Sequence, residues 1–192
     1  LAAIATYEDI LQEPYAGKDS LRRIRAQMMA HNNLGGIYNR NGDYTTALSH
    51  RLQSLKLAEQ QAPDPNTLVI VYCNIASEYR QLQLYDKAAE YLDRVKPMLT
   101  ELKPIYHFDY LYELHSLDEV KNDTAGITRA LAGMKTLIAT ARFSPFQTLD
   151  TEYEYYKLEG NFFRDYQKDY KKAIEAHRQS LETAIKMNAE ES

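Results

Sequence analysis

The residues that most often carry catalysis are scattered along this chain. Its histidines include no His-Glu-x-x-His motif and no pair three or four residues apart; they are His31, His50, His107, His115 and His177. Cys73, the single cysteine, has no recognisable nucleophile context. The i,i+4 spacing of Asp109 and Glu113 is typical of two residues on one solvated helix face. Gly35-Gly36 lacks the Lys-Ser/Thr that follows in a phosphate-binding loop. We therefore predict no catalysis, no metal and no cofactor.

The side chains better suited to chemistry are amides and guanidiniums that could bind a peptide. Asn33 and Asn74 stand 41 residues apart, and an amide can both donate to and accept from an extended backbone. Arg40 and Arg80 could add charge-assisted contacts to a carboxylate. The alternative is that the asparagines are solvated or cap helices.

Composition excludes several classes of partner and structure. A net charge of −4 and a pI near 5.8 argue against duplex nucleic acid. A hydrophobic content of 44% is typical of a folded chain, and no apolar run reaches the roughly 20 residues that span a bilayer. The chain starts at Leu1 without a signal-like segment, so we expect a piece of a longer polypeptide.

A motif that recurs after 41 residues must position these side chains. Four of its positions hold the same or a similar residue in both copies, namely Leu34 and Ile75, Tyr38 and Tyr79, Tyr44 and Tyr85, and Ala47 and Ala88. Weaker copies contain Leu114 and Leu158, the last with about two extra residues before Asp169. Apolar residues recur within each copy at helical spacing, which predicts two amphipathic helices per copy.

Breaks between these helices fall at prolines and turn residues. Pro65, Pro104 and Pro145 suit the first turn of a helix, where a missing N–H costs nothing. The spacing predicts about nine helices in one repeat domain. Its units are residues 1–18 (partial), 19–62, 65–102, 104–143 and 145–189.

The pattern Leu34-Gly35-x-x-Tyr38, followed by Tyr44 and Ala47, resembles the tetratricopeptide repeat, over roughly residues 25–189. The resemblance implies an all-α fold, a right-handed α-α superhelix in which Gly35 and Ala47 let two helices approach closely. A period of about 40 rather than 34 residues implies helices about one turn longer. Arg51 replaces a usual aromatic residue, and Gln83 replaces the turn glycine.

By this resemblance, the first helix of each unit lines a concave groove that binds a protein or peptide. The lysine-asparagine carboxylate clamp of chaperone-binding relatives is not reproduced, because Asn32 and Gly36 occupy its key positions. The predicted groove residues are Asn32, Asn33, Gly36, Asn39, Arg40, Cys73, Asn74, Ser77, Arg80, Tyr112, Ser116, Tyr153, Tyr156 and Phe163.

Two segments of the second half leave alternatives open. The aromatic residues Tyr153, Tyr156 and Phe163 either pack between neighbouring helices or form a platform for a ligand. The last helix has one predicted apolar stripe and an opposite charged face, which favours a solvating cap over a docking face. The stripe consists of Tyr170, Ala173, His177, Leu181 and Ile185.

The function that this sequence favours is a non-enzymatic protein- or peptide-binding module, without nucleic-acid or membrane contact by this segment. Long-period, tyrosine-rich arrays resemble the sensor or interaction segments of bacterial signalling proteins, including membrane-anchored histidine kinases and transcription regulators of Bacteroidetes. That analogy favours an extracytoplasmic segment, with a cytoplasmic one as the alternative. A plain assembly scaffold and a small-ligand-binding solenoid remain alternative functions.

Overall fold

A computed structural model describes residues 2–12, 20–60 and 63–190, which form nine α-helices and no strand. The helices are α1 Ala2–Gln12, α2 Ser20–Arg40, α3 Tyr44–Glu59, α4 Pro65–Gln81, α5 Tyr85–Asp93, α6 Pro104–Val120, α7 Thr124–Thr140, α8 Pro145–Phe162 and α9 Tyr170–Glu190. The predicted all-α class is confirmed. Three helices begin at the prolines that the sequence assigned to a first turn.

The chain divides into two compact units, Leu1–Glu101 and Leu102–Ser192. In unit 1, α2 pairs with α3 and α4 pairs with α5, and α3 also packs against α4. The motif residues Leu34, Ala47, Ile75 and Ala88 form its buried centre. These are the positions at which the two copies agree, because close helix packing needs an apolar residue facing a small one.

Aromatic rings fill the space beside these contacts. Tyr38 stacks on His50 with ring centroids 5.4 Å apart, and Tyr79 stacks on Tyr91 at 5.6 Å. Each pair joins the first helix of a hairpin to the second, so the motif tyrosines fix how the two helices face each other.

Unit 2 repeats the arrangement, with α6 paired to α7 and α8 paired to α9. Phe108, Ile127, Met134, Tyr155 and Phe162 lie in its core. A π-helical turn at Phe163–Gln167 follows α8 and accommodates the extra residues predicted before Asp169.

A residue in the left-handed conformation closes each of the four hairpins. A residue with positive φ recurs at Gly42, Gln83, Asn122 and Lys168, with angles of 79°, 61°, 56° and 56°. The next residue's amide donates back to the helix, from Asp43 to Tyr38 and from Leu84 to Tyr79 in unit 1. This left-handed helix end favours glycine, so Gln83 adopts a strained conformation there.

Replacing Gln83 with glycine is expected to raise the free energy of unfolding by about 1 kcal/mol. The substitution relieves a left-handed conformation that costs roughly 1–2 kcal/mol, less the extra backbone freedom glycine gains on unfolding. Urea unfolding of the variant measures the change. As a control, Gln53→Gly at an exposed position in the middle of α3 is expected to lower the free energy of unfolding by about 1 kcal/mol. A lower free energy of unfolding for both variants would contradict the strain at Gln83.

The expectation of uniformly longer helices is wrong for the second hairpin. α5 contains only nine residues and ends at Asp93, and a 3₁₀ helix at Lys96–Glu101 follows it. Pro97 lies in this segment and cannot donate the backbone hydrogen bond that would continue an α-helix.

The predicted apolar stripe of α9 is also wrong in part. Ala173 is buried as expected, but the other buried positions are Ala176, Ser180 and Thr183. More than half of the surface of Tyr170, Leu181 and Ile185 is exposed. Small residues therefore face α8, because the two helices pack closely, and the larger apolar residues lie outside that contact.

Candidate functional site

Helices α1 to α4 of unit 1 line an open surface cleft of about 450 Å³ with a mainly polar lining, called here the polar pocket. It is lined by Ala3, Tyr7, Asn32, Asn33, Gly36, Ile37, Arg40, Arg51 and Asn74. Five of these were predicted groove residues. Tyr7 and Arg51 were not, because they lie on helices that the repeat pattern does not assign to the groove.

Arg51 is the centre of the pocket's buried polar network. It is 7% exposed, and its Nη1 donates to the backbone oxygen and, at 2.6 Å, to Oδ1 of Asn32. Its Nε lies 3.6 Å from Oε1 of Glu78. Burial lowers the pKa of Arg51, and the charge of Glu78 opposes this. The arginine therefore joins α3 to both α2 and α4.

Gly35 makes room for this arginine. A Cβ atom there would lie 2.8 Å from Nε and 2.9 Å from Cδ of Arg51, closer than side chains tolerate. A glycine of the repeat motif and Arg51, at a position where tetratricopeptide repeats usually have an aromatic residue, thus form one structural unit. Only the glycine was recognisable from the sequence as a packing position.

Glu78 provides the buried negative charge opposite Arg51. It is 1% exposed, and its Oε2 accepts a 2.7 Å hydrogen bond from Nδ2 of Asn39. Burial raises the pKa of Glu78, whereas Asn39 and Arg51 act to lower it. Asn39, predicted to contact a partner, uses its amide to hold this carboxylate.

Two separate hydrogen bonds hold the remaining pocket amides. Nδ2 of Asn74 donates to Oδ1 of Asn32 at 3.0 Å, and Nδ2 of Asn33 donates to the Tyr7 hydroxyl at 3.1 Å. An amide has two donor hydrogens and an oxygen that accepts twice. Asn33 and Asn74 are thus held in place and keep hydrogen-bonding capacity for a ligand.

Besides Asn39, three predicted groove residues of unit 1 do not line this pocket. Cys73 is 5% exposed and buried within the unit. The Ser77 hydroxyl accepts a 3.3 Å hydrogen bond from Nη2 of Arg80 on the same helix. α4 turns the Cys73 side chain into the packed interior of unit 1.

The predicted groove residues of unit 2 are largely engaged in packing. Tyr112, Tyr156 and Phe163 are half-buried against the core. Tyr153 is half-buried and holds the Lys157 ammonium 5.3 Å from its ring centroid. Ser116 is half-buried on α6. These contacts make packing a sufficient account of this aromatic segment.

The structure also joins two histidines that the sequence separates. Nδ1 of His31 and Nδ1 of His50 lie 2.9 Å apart, across the α2–α3 hairpin. One ring must donate and the other accept, so at least one is neutral. Burial lowers the pKa of both. In the part of the chain that is described, no three His, Cys, Asp or Glu side chains form a metal-binding group.

Comparisons with known proteins agree with this architecture. Residues 26–101 match the tetratricopeptide repeat family model. BtubC (BKLC) from P. vanneervenii is similar in structure, with a TM-score of 0.63 and 15% identity over 89% of this chain and 71% of that one. A putative Podosopora anserina kinesin light chain with nearly identical TPR-like repeats has a TM-score of 0.52 and 16% identity, over 96% and 87%.

These likenesses show a fold of the tetratricopeptide-like solenoid class. No curated protein matches the chain. Tetratricopeptide repeats generally act as non-catalytic modules that bind proteins or peptides. Among the described helices, none combines the length and apolarity needed to cross a membrane.

Proposed function

We propose that unit 1 binds an extended segment of a partner protein in the polar pocket. The observation that carries this proposal is the convergence of amide side chains from α2 and α4, with the Tyr7 hydroxyl of α1, on one cavity. An extended peptide presents alternating N–H and C=O groups. Asn33 and Asn74 can donate to and accept from such a backbone without changing their charge.

The lining of the pocket favours a peptide over a small apolar ligand. Small-molecule sites are usually lined by hydrophobic and aromatic side chains with a few polar groups. Here amide, hydroxyl and guanidinium groups dominate, and among the described residues of the lining only Ala3 and Ile37 have aliphatic side chains. A backbone segment could satisfy these polar groups more fully than an apolar molecule could.

Replacing both Asn33 and Asn74 with alanine is expected to weaken peptide binding about tenfold, the effect of losing one or two net hydrogen bonds. Random 12-residue peptides displayed on phage serve as probes, and selected peptides are measured by fluorescence anisotropy. The melting temperature should change little, since Asn33 is exposed and Asn32 keeps its bond to Arg51.

Asn188→Ala, at an exposed position on α9, is the matched control and should bind as the unaltered protein does. Equal affinity of the double variant and the control would refute the assignment of the pocket. Failure to select any peptide would refute peptide binding itself.

A role as the sensor or interaction segment of a larger bacterial signalling protein extends this proposal. The alternative is a plain assembly scaffold without a signalling output. The two roles differ in the consequence of binding. A change in the activity of a linked effector domain on adding the selected peptide would support the sensor role, and binding without such a change would support the scaffold.

A further inference from the structure

A second cavity, called here the apolar pocket, adjoins the polar pocket in unit 1. Its volume is about 290 Å³, and Asn32 and Asn33 line both cavities. Its remaining lining residues are Met28, Met29, Ser54, Thr67, Ile70 and Val71. Met29 lines this pocket and is 60% exposed, so its side chain is accessible to a ligand. Methionine adapts its shape readily, which suits a pocket for an apolar side chain.

The opposite end of the polar pocket is positively charged. A Cβ atom added to Gly36 would lie 3.5 Å from Nη2 of Arg51 and 3.7 Å from Nη1 of Arg40. Two guanidinium groups therefore border one small space that the absent side chain leaves open.

The charges around this space are not balanced. Glu78 faces Arg51, but Arg40 is exposed and forms no ion pair with a carboxylate in the described ranges. Burial chiefly lowers the pKa of Arg51, and the nearby charge of Arg40 lowers it further. An anion between the two arginines would offset this repulsion and accept hydrogen bonds from both.

We infer that the segment bound by unit 1 carries an apolar side chain, held in the apolar pocket beside Met29, and a carboxylate, held next to Gly36 by Arg40 and Arg51. This inference rests on the proposed function and specifies its ligand. The charge excess selects an acidic side chain, and the shared wall of Asn32 and Asn33 lies under the backbone between the two groups.

The distance between the two ends sets the spacing of the ligand's side chains. Met29 and Gly36 are two helical turns apart on α2, which is roughly 10 Å at 1.5 Å per residue. An extended peptide covers about 3.3 Å per residue, so the apolar and acidic residues are about three positions apart. Either chain direction satisfies this spacing.

Sequencing the peptides that the phage library yields tests the motif. The expected result is enrichment of Asp or Glu three or four positions from Leu, Ile, Met or Phe. Selected peptides could bind the unaltered protein, bind the Asn33→Ala/Asn74→Ala variant more weakly, and yet lack this pattern. That result would overturn the inference and leave the proposed function intact. A library that yields no binder would overturn both.

Gly36→Ala provides a sharper test, because stability and binding should change in opposite directions. The new methyl group makes only ordinary contacts, at 3.5 and 3.7 Å, and alanine favours a helix over glycine. The melting temperature should rise by about 3 °C, while the affinity for an acidic peptide falls about tenfold because the space is filled. Unchanged affinity in this stable variant would overturn the carboxylate site.

Combining a substitution in the protein with one in the peptide tests whether Arg40 binds the peptide's carboxylate. Changing the peptide's Glu to Gln should lower its affinity about tenfold for the unaltered protein and only about twofold for the Arg40→Gln variant. Arg142→Gln, at an exposed position in unit 2, is the control and should keep the full tenfold loss. Equal losses for all three proteins would show that Arg40 does not bind the carboxylate.

Discussion

Replacing Glu78 with alanine is expected to lower the free energy of unfolding by about 3 kcal/mol. The substitution leaves the buried guanidinium of Arg51 without its opposite charge and the Asn39 amide without its acceptor. Breaking a buried ion pair by removing one partner typically costs 3–5 kcal/mol, and Asn32 moderates the loss because it still accepts from Arg51. Urea unfolding at pH 7 measures the difference.

A surface glutamate gives the matched comparison. Glu90 pairs with Lys87 at 3.2 Å, and more than half of each side chain is exposed, so Glu90→Ala should cost under about 0.5 kcal/mol. Replacing both members of the buried pair, as Arg51→Met with Glu78→Leu, should recover most of the lost stability. A loss below about 1 kcal/mol for Glu78→Ala would contradict a buried, mutually dependent pair.

Acid is expected to destabilise unit 2 through His115, by up to about 3 kcal/mol between pH 6.5 and 4. The ring is 2% exposed, its Nδ1 has no hydrogen-bond partner among the described residues, and burial lowers its pKa to about 4. Below pH 6.5 the unfolded chain binds a proton at this residue that the folded chain does not bind. Stability is therefore complete above pH 6.5 and is lost as the pH falls, at about 1.4 kcal/mol per pH unit.

His115→Leu isolates this contribution. The variant should differ from the unaltered protein by less than about 1 kcal/mol at pH 7, because no hydrogen bond to Nδ1 is lost, and it should become the more stable protein near pH 4. Asp109 has the opposite effect on the pH dependence, since desolvation and the charge of Asp150 raise its pKa to about 6. If the free energies of unfolding of the two proteins changed in parallel from pH 4 to 7, His115 could not be a neutral residue buried in the folded protein.

Much of the candidate site was predictable because it lies on one face of a repeating helix. Asn32, Asn33, Gly36 and Arg40 are close in sequence and follow helical spacing, and Asn74 occupies the equivalent position one repeat later. The partners of these residues were not predictable. A glycine in a motif indicates that something approaches closely, but it does not indicate that the approaching group is an arginine 16 residues further on.

The buried charges show the limit of sequence reasoning more clearly. Arg51 and Glu78 lie on different helices, and each alone reads as a solvent-exposed position. Their burial depends on the register between α3 and α4, which side chains from both helices decide together. The pairing of His31 with His50 has the same origin across the α2–α3 hairpin.

The sequence by itself determined the approximate number and order of the helices and three of their starts, at Pro65, Pro104 and Pro145, because helical periodicity and proline geometry are local properties. Only the tertiary structure decided which face of each helix is covered. Leu55 and Leu181 each stand eight residues after the small residue of their motif, yet Leu55 is 5% exposed and Leu181 is 61% exposed. α3 packs against both α2 and α4, whereas Leu181 lies on the face of α9 that points away from α8. An apolar side chain is buried only where a neighbouring helix covers it, and a helix's own residues do not specify that neighbour.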